Sequence, residues 1–175
     1  MYRLSGWFYS TFKEYIEMKF SDFVCFDAII ADLKAQDRDA AIAELASALE
    51  KAGKFKKGEG KDIVKAVIAR ENEASTGMGK GVALPHVKSS MVKNVVAAIG
   101  QNKKGIDFSA LDKQPVYSVI LLVSPSENPD RHLRAMEKIF KHLQNEKFRK
   151  FLRQSQKAEQ IKDLLDEADE NPSLE

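Results

Sequence analysis

The side chains that could do chemistry gather around one stretch of the chain. From Arg70 to His86 it reads Arg-Glu-Asn-Glu-Ala-Ser-Thr-Gly-Met-Gly-Lys-Gly-Val-Ala-Leu-Pro-His. An imidazole with the ordinary pKa of roughly 6.5 is mostly neutral in a neutral medium, and its unprotonated ring nitrogen is a nucleophile suited to covalent catalysis. Pro85 fixes its own φ and restricts Leu84, so the residue that follows is stiffly placed. His86 therefore qualifies as a held nucleophile. It equally fits a structural histidine at the end of a strand, and the local residues leave both readings open.

Gly77, Gly79 and Gly81 stand at alternate positions just upstream. Glycines in that spacing let a bulky group approach the main chain. Two nucleotide-binding loops share the feature, and neither fits. A dinucleotide fingerprint lies after a strand and before a helix, whereas this one follows a helix and precedes a strand. A Walker A loop needs Ser or Thr after its Gly-Lys, and Lys80 is followed by Gly81.

The elements that must position these residues are readable from periodicity. Ile42, Leu45, Ala46 and Leu49 recur at helical spacing within Asp39 to Ala52, and Gly53 supplies a stop. Phe55 to Gly60 reads as a Lys/Gly-rich loop. Ile63, Val64, Val67 and Ile68 then mark a second amphipathic helix ending near Arg70-Glu71, followed by a loop from Asn72 to Gly81. Val82 to His86, Val95 to Ile99 and Val116 to Val123 read as strands, and the unbroken apolar run of the third predicts a sheet covered on both faces. Asn128-Pro129-Asp130 is a helix start: an N-cap, a proline at the first position, then an acid facing the dipole. That helix carries Leu133, Met136, Ile139, Phe140 and Leu143. A short one follows at Phe148, Phe151 and Leu152, and a last one at Ile161, Leu164, Leu165 and Ala168 frays at Asn171-Pro172. Alternating strands and helices predict an α/β fold with a mostly parallel, two-sided sheet.

Bulk properties narrow the function classes. The 175 residues fit one domain with short extensions: residues 18–170 as the domain, 1–17 as an N-terminal appendage and 171–175 as a tail. Met18 opens a second plausible start, and the aromatic stretch before it could also be a docking helix. The formal net charge is +2 with both signs interspersed and no block of five or six like charges, so nothing suggests a nucleic-acid or membrane tail. No apolar run approaches the ~20 residues of a membrane helix. Cys25 is the only cysteine, so no intrachain disulfide forms and a reducing cytosol is expected. No metal-ligand spacing and no Gly-x-Ser-x-Gly elbow occurs. His132 and His142 lie ten residues apart on one predicted helix, about 15 Å from each other, so they cannot share a metal, and His142 reads as a surface residue.

The pattern Arg-Glu-x-x-x-Ser-Thr-Gly-x-Gly-x-Gly-Val-Ala-x-Pro-His closely resembles the active-site signature of enzyme IIA of the mannitol/fructose class, from the bacterial phosphotransferase system. The likeness continues through Ile106-Asp107-Phe108, Leu111-Asp112-x-x-Pro115-Val116 and Ser124-Pro125-Ser126-Glu127-Asn128 followed by His132-Leu133. It covers roughly Met18 to Asp166. The extra N-terminal segment and the Lys-rich loop Lys54 to Lys61 depart from it.

The resemblance implies a three-layer α/β/α fold with a mixed, mostly parallel sheet flanked by helices. It implies a cytoplasmic phosphotransferase working through a phosphohistidine, with no cofactor, in which His86 accepts phosphate on Nε2 from an HPr-type phosphocarrier protein. His132 matches the family's second active-site histidine and Arg70 its active-site arginine. His132, at a helix N-terminus by the C-terminal end of the sheet, could donate to phosphoryl oxygens, or pack in the core. Arg70 could present its fixed fork of donors, or sit as a favourable cation at a helix C-terminus. Ser75 and Thr76 could donate hydroxyls to phosphate or cap the loop. Glu71 could orient His132 or Arg70 or be a solvated glutamate, while Gly79 and Gly81 support the phosphate. The chain's start, with Ser21-Asp22-Phe23 and Ile30-Ala31-Asp32-Leu33-Lys34-Ala35, is similar to the stand-alone nitrogen-regulatory members, which implies a downstream regulatory target. The alternatives are a IIA subunit passing phosphate to the IIB component of a fructose/mannitol permease, and an interaction module that no longer turns over phosphate.

Overall fold

The computed structural model describes residues 17–171. The aromatic N-terminal stretch, residues 1–16, and the last four residues of the chain lie outside them. A six-stranded mixed sheet is covered by two helices on one face and three on the other. After a single 3-10 turn at Phe20–Asp22, the elements run β1 (Val24–Ile30), α1 (Arg38–Lys51), α2 (Gly60–Glu73), β2 (Gly77–Gly79), β3 (Val82–Ala83), β4 (His86–Ser89), β5 (Val96–Ile106), β6 (Val116–Pro125), α3 (Pro129–Gln144), α4 (Glu146–Gln154) and α5 (Ala158–Glu170).

The strand order is β1-β5-β6-β3-β2, with β4 also on β6. The pairs β1/β5, β3/β6 and β4/β6 are parallel, while β5/β6 and β2/β3 are antiparallel. The longest ladder, β5 on β6, is thus antiparallel, because the loop between them returns the chain directly to its neighbour. From Val119 onward the side chains of β6 alternate strictly. Val119, Leu121 and Val123 pack with Ile42, Leu45, Ile63 and Val67 beneath α1 and α2. Ile120 and Leu122 pack with Ile139, Leu143, Leu152 and Leu165 beneath α3, α4 and α5. Both faces being dry is the reason the run from Val116 to Val123 has no polar alternation.

The single strand expected over Val82 to His86 is split in two. β3 pairs Ala83 with Val119 and β4 pairs His86 with Leu122, so the register carries straight through. Leu84 and Pro85 drop out of the ladder between them because Pro85 has no N–H to give and Leu84 N donates instead to Thr76 O at 3.1 Å. The glycine segment expected to be loop is partly ordered. Gly77–Gly79 forms β2 against β3, and Lys80 and Gly81, with φ of 57° and 78°, make the tight turn between them. Two consecutive positive φ values suit a two-residue hairpin. β1 has no counterpart in the sequence reading: Asp27 interrupts its apolar run, and a register shift between Val24 and Ile29 breaks its alternation.

Helix boundaries agree with the sequence signals. Asp37 caps α1 by accepting from Ala40 N at 2.8 Å. Asn128 caps α3 by accepting from Arg131 N at 3.3 Å, with Pro129 at the first helical position as expected. Among the described residues no helix is long and apolar enough to cross a membrane.

Candidate active site

Strand parity places the site. In β4, Val87 packs into the core beneath α1 and α2, so its neighbours His86 and Lys88 turn to the opposite face, toward α3. Ser124, near the end of β6, has the parity of Ile120 and Leu122 and faces α3 as well. The α3 cap at Asn128 sets the first helical turn directly beyond that strand end, and His132 lies in that turn. The two imidazoles meet there, with ring centroids 5.6 Å apart and planes tilted by 46°.

His86 is half-buried. Its Nδ1 lies 2.9 Å from Leu84 O, a carbonyl held in place by the proline that follows it. A carbonyl can only accept, so Nδ1 carries the hydrogen, and in the neutral ring Nε2 keeps a bare lone pair. The tautomer is therefore the one a nucleophilic Nε2 requires. His132 is 7% exposed, and its Nδ1 lies 2.8 Å from Ser124 Oγ. Burial pushes its pKa below the ordinary histidine value, and positive charge on His86 and Lys88 pushes the same way. His132 is thus kept neutral as a hydrogen-bonding group rather than a cation.

The remaining expected site residues separate into those near the rings and those spent on the loop. Arg70 closes α2, which packs against β4, and its Nη1 donates to Ala74 O at 3.0 Å. That contact is the helix-end role. The guanidinium has further donors, which the contact leaves for other work. Glu71 is 2% exposed and is neither a solvated glutamate nor bonded to His132 or Arg70. Its carboxylate accepts from Thr76 N at 2.6 Å and Thr76 Oγ1 at 2.7 Å. Ser75 Oγ donates to Phe108 O at 2.5 Å and accepts from Gly77 N at 3.0 Å. Both hydroxyls therefore tie the loop down, the second of the two roles open to them from the sequence. Gly79 and Gly81 serve the hairpin turn. Lys80 N donates to Asp112 at 2.8 Å, and that carboxylate is held below its usual pKa by the backbone hydrogen bonds from Lys80 and Gln114. The anchored carboxylate holds the turn that the two glycines shape.

His142 is buried, not at the surface. Its ring lies edge-on to Phe20 and Phe148, with centroids 5.0 and 5.4 Å away. Ser124 and the Leu84 carbonyl are the contributors that residue types do not advertise. The one available signal for Ser124 is a hydroxyl directly after the apolar run Val119 to Val123 and just before the cap of the helix that carries His132.

A pair of imidazoles, one with its Nδ1 hydrogen committed to a carbonyl, at the C-terminal end of β6 is equipped to accept and hold an electrophilic group. Comparison with known proteins points the same way. A family model described as the phosphoenolpyruvate-dependent sugar phosphotransferase system, EIIA 2, matches residues 23–168. The chain is 30% identical over 152 residues to the fructose-specific EIIABC component of the phosphotransferase system of Bacillus subtilis (strain 168), covering 87% of this chain and 24% of that protein. It spans about a quarter of that relative's length. It is 31% identical over 148 residues to a nitrogen regulatory protein of Bradyrhizobium diazoefficiens, covering 85% of this chain and 95% of that one. Among solved structures, the nitrogen regulatory protein IIA-Ntr of Neisseria meningitidis superposes with a TM-score of 0.74 at 25% identity, covering 82% of this chain and 96% of that one. With fold, paired histidines and whole-domain similarity in agreement, the chain belongs to the type 2 enzyme IIA family of the phosphoenolpyruvate-dependent phosphotransferase system.

Proposed function

We propose that this chain is a phosphoryl carrier that accepts phosphate on His86 Nε2 from the phosphohistidine of an HPr-type protein and serves a nitrogen-regulatory role. The observation that carries the reading is the Nδ1–H hydrogen bond of His86 to Leu84 O, which leaves Nε2 bare and pointing away from the strand it stands on. In the transfer, the Nε2 lone pair of His86 forms the new P–N bond. The P–N bond on the carrier breaks, and its electron pair returns to the carrier's imidazole. His86 keeps its Nδ1 hydrogen throughout. The positive charge that develops on its ring strengthens the bond to the Leu84 carbonyl.

Phosphoryl transfer asks the protein chiefly for alignment and for donors toward the equatorial oxygens. His132, buried and neutral beside His86 at a helix N-terminus, takes the donor role, and Arg70 supplies guanidinium N–H groups from the end of α2. No metal or nucleotide enters the step, because the phosphoramidate donor is already activated. The phosphate then passes to a partner or changes which partner binds.

The regulatory role is supported by the Bradyrhizobium and Neisseria relatives. The sugar-specific role, delivery to a IIB component of a fructose/mannitol permease, is favoured by the Bacillus relative, and an interaction module without turnover would have no need for two paired histidines with defined hydrogen-bond partners. Incubation with phosphoenolpyruvate, enzyme I and HPr is expected to add an acid-labile, alkali-stable group of about 80 Da, one phosphoryl unit. His86→Ala abolishes it. Absence of the adduct from the unaltered protein, or its persistence in His86→Ala, overturns the reading. His132→Ala still accepts phosphate but transfers it about 100-fold more slowly, the scale of losing one preorganised donor. Onward transfer to a purified IIB domain would select the transport role over the regulatory one.

A further inference from the structure

Ser124 has no role in the family signature, yet it is fully buried and its hydroxyl meets the ring of His132. A serine hydroxyl has one hydrogen to give and lone pairs to receive with, so the 2.8 Å contact to Nδ1 can run in either direction. The surroundings decide which. Among the described residues His132 Nδ1 is the hydrogen-bond partner of Oγ, and no water reaches a side chain with no exposed surface. If the ring donated, the hydroxyl hydrogen would be stranded in a dry site, and a buried donor without an acceptor is costly. If the hydroxyl donates, both atoms are satisfied.

We propose that Ser124 is the positioning residue of the phosphoryl-transfer site: its hydroxyl donates to His132 Nδ1, fixes the ring's orientation, and places a hydrogen on Nε2 for the phosphoryl oxygens. This rests on the reading of His86 as the phosphate acceptor. It makes the two histidines opposite tautomers. His86 gives its Nδ1 hydrogen to Leu84 O and exposes a bare Nε2. His132 takes a hydrogen at Nδ1 and presents Nε2–H. One ring is the nucleophile and the other the donor, and each assignment is set by the group behind it, a carbonyl for one and a hydroxyl for the other. Strand parity makes the arrangement possible. His86 and Ser124 face α3 from adjacent parallel strands, and Lys88 in β4 stands opposite Ser124 in the ladder.

The experiment combines a spectrum and a rate. Nitrogen-15 NMR of the histidine rings in the unphosphorylated protein is expected to show His132 with a bare, hydrogen-bonded Nδ1 and a protonated Nε2, and His86 with the reverse. In Ser124→Ala the Nδ1 signal of His132 moves toward that of a nitrogen with no donor. Phosphate uptake from phosphorylated HPr slows on the order of 10-fold, as when a residue orienting a functional imidazole is lost, at unchanged affinity for HPr. Ser124→Thr, which keeps the hydroxyl, restores both the signal and the rate. A protonated His132 Nδ1 in the unaltered protein overturns the proposal, as does a Ser124→Ala protein with unchanged spectrum and rate. Failure of the unaltered protein to take up phosphate at all would instead sink the phosphoryl-acceptor reading, and the spectrum would still decide the direction of the Ser124 bond. That spectrum needs no variant to fold.

Discussion

At the scale of single residues, three histidines with the same intrinsic chemistry are given three different states by what stands behind each ring. The carbonyl of Leu84 makes His86 an acceptor at Nε2, and Ser124 sits behind His132. His142 donates from Nδ1 to Lys138 O at 2.9 Å and is walled in by Phe20 and Phe148. Burial lowers the pKa of His142 from the ordinary 6.5, with the positive charges of Lys138 and Lys141 adding to the effect. His132 is lowered for the same leading reason. The linkage has a definite sign. From 6.5 down to the folded-state values the unfolded chain binds protons that the native chain does not, so the stability present above 6.5 is lost as pH falls through that window. Replacing His142 by phenylalanine keeps a flat ring in the aromatic cluster and removes one of the two contributors. The drop in urea midpoint between about pH 7.5 and about pH 5.5 should therefore be smaller in His142→Phe than in the unaltered protein. An unchanged drop would place the acid sensitivity elsewhere. His86 and His132 were legible in the sequence because residue type and a long, specific pattern carry them. His142 was not, since its walls come from Phe20 and α4, and spacing along α3 alone says nothing of what those elements cover. The carbonyl of Leu84 was illegible for a different reason: every residue has one, and only the fold aims it.

At the scale of elements, the segment joining α2 to β3 is the part most altered by seeing it in three dimensions. Its Ser, Thr and Glu were open to two roles each, and the structure spends all three on holding the loop against α2 and the Phe108 backbone. Gly77 belongs to the same fastening: a side chain there would meet Ala110 Cα at 2.7 Å, so only hydrogen fits. The loop is thus a rigid brace between Arg70 at one end and His86 at the other. Removing its keystone tests this. Glu71→Ala strands the Thr76 amide in a buried place and should cost about 1–3 kcal/mol, read as a shift in urea midpoint. Faster hydrogen exchange confined to residues near Thr76 would show the brace loosening, while exchange rising equally everywhere would argue for a purely global effect. Helix starts and the long strand β6 were readable because caps and an unbroken apolar run are local signals. β1 and the β3/β4 break were not, because a register shift disturbs the periodicity of the first and a proline interrupts the second although its pairing on β6 stays in register.

At the scale of the whole molecule, β6 is the shared wall. It gives alternate residues to the two helical layers and carries β5, β3 and β4 at its sides, so both ends of the Arg70-to-His86 brace and the α3 cap are referred to one strand. A second, smaller fastening joins the α3–α5 layer to the turn before β1. Asp169 accepts from Phe20 N at 2.7 Å and Ser21 N at 3.0 Å, and pairs with the buried Lys138 ammonium at 3.4 Å. Breaking a buried pair from one side leaves the other charge uncompensated, so Asp169→Asn should destabilise the fold by about 3 kcal/mol in equilibrium denaturation. A loss within the scatter of surface substitutions would mean that the partly exposed Glu17, 3.9 Å from the same ammonium, compensates. The Asp169 contacts also say something about connectivity. Phe20 and Asp169 touch although nearly the whole described chain lies between them, so the described path of the polypeptide begins and ends side by side. A domain wired in this way can be spliced into a longer polypeptide through a single gate without stretching the sheet. It can also be re-threaded: joining the ends near Met18 and Glu170 with a short Gly/Ser bridge and opening the chain among the exposed lysines Lys54, Lys56 and Lys57 should yield a permuted protein. That protein is expected to fold cooperatively and to take up phosphate at the histidine that corresponds to His86, still backed by the Leu84 carbonyl.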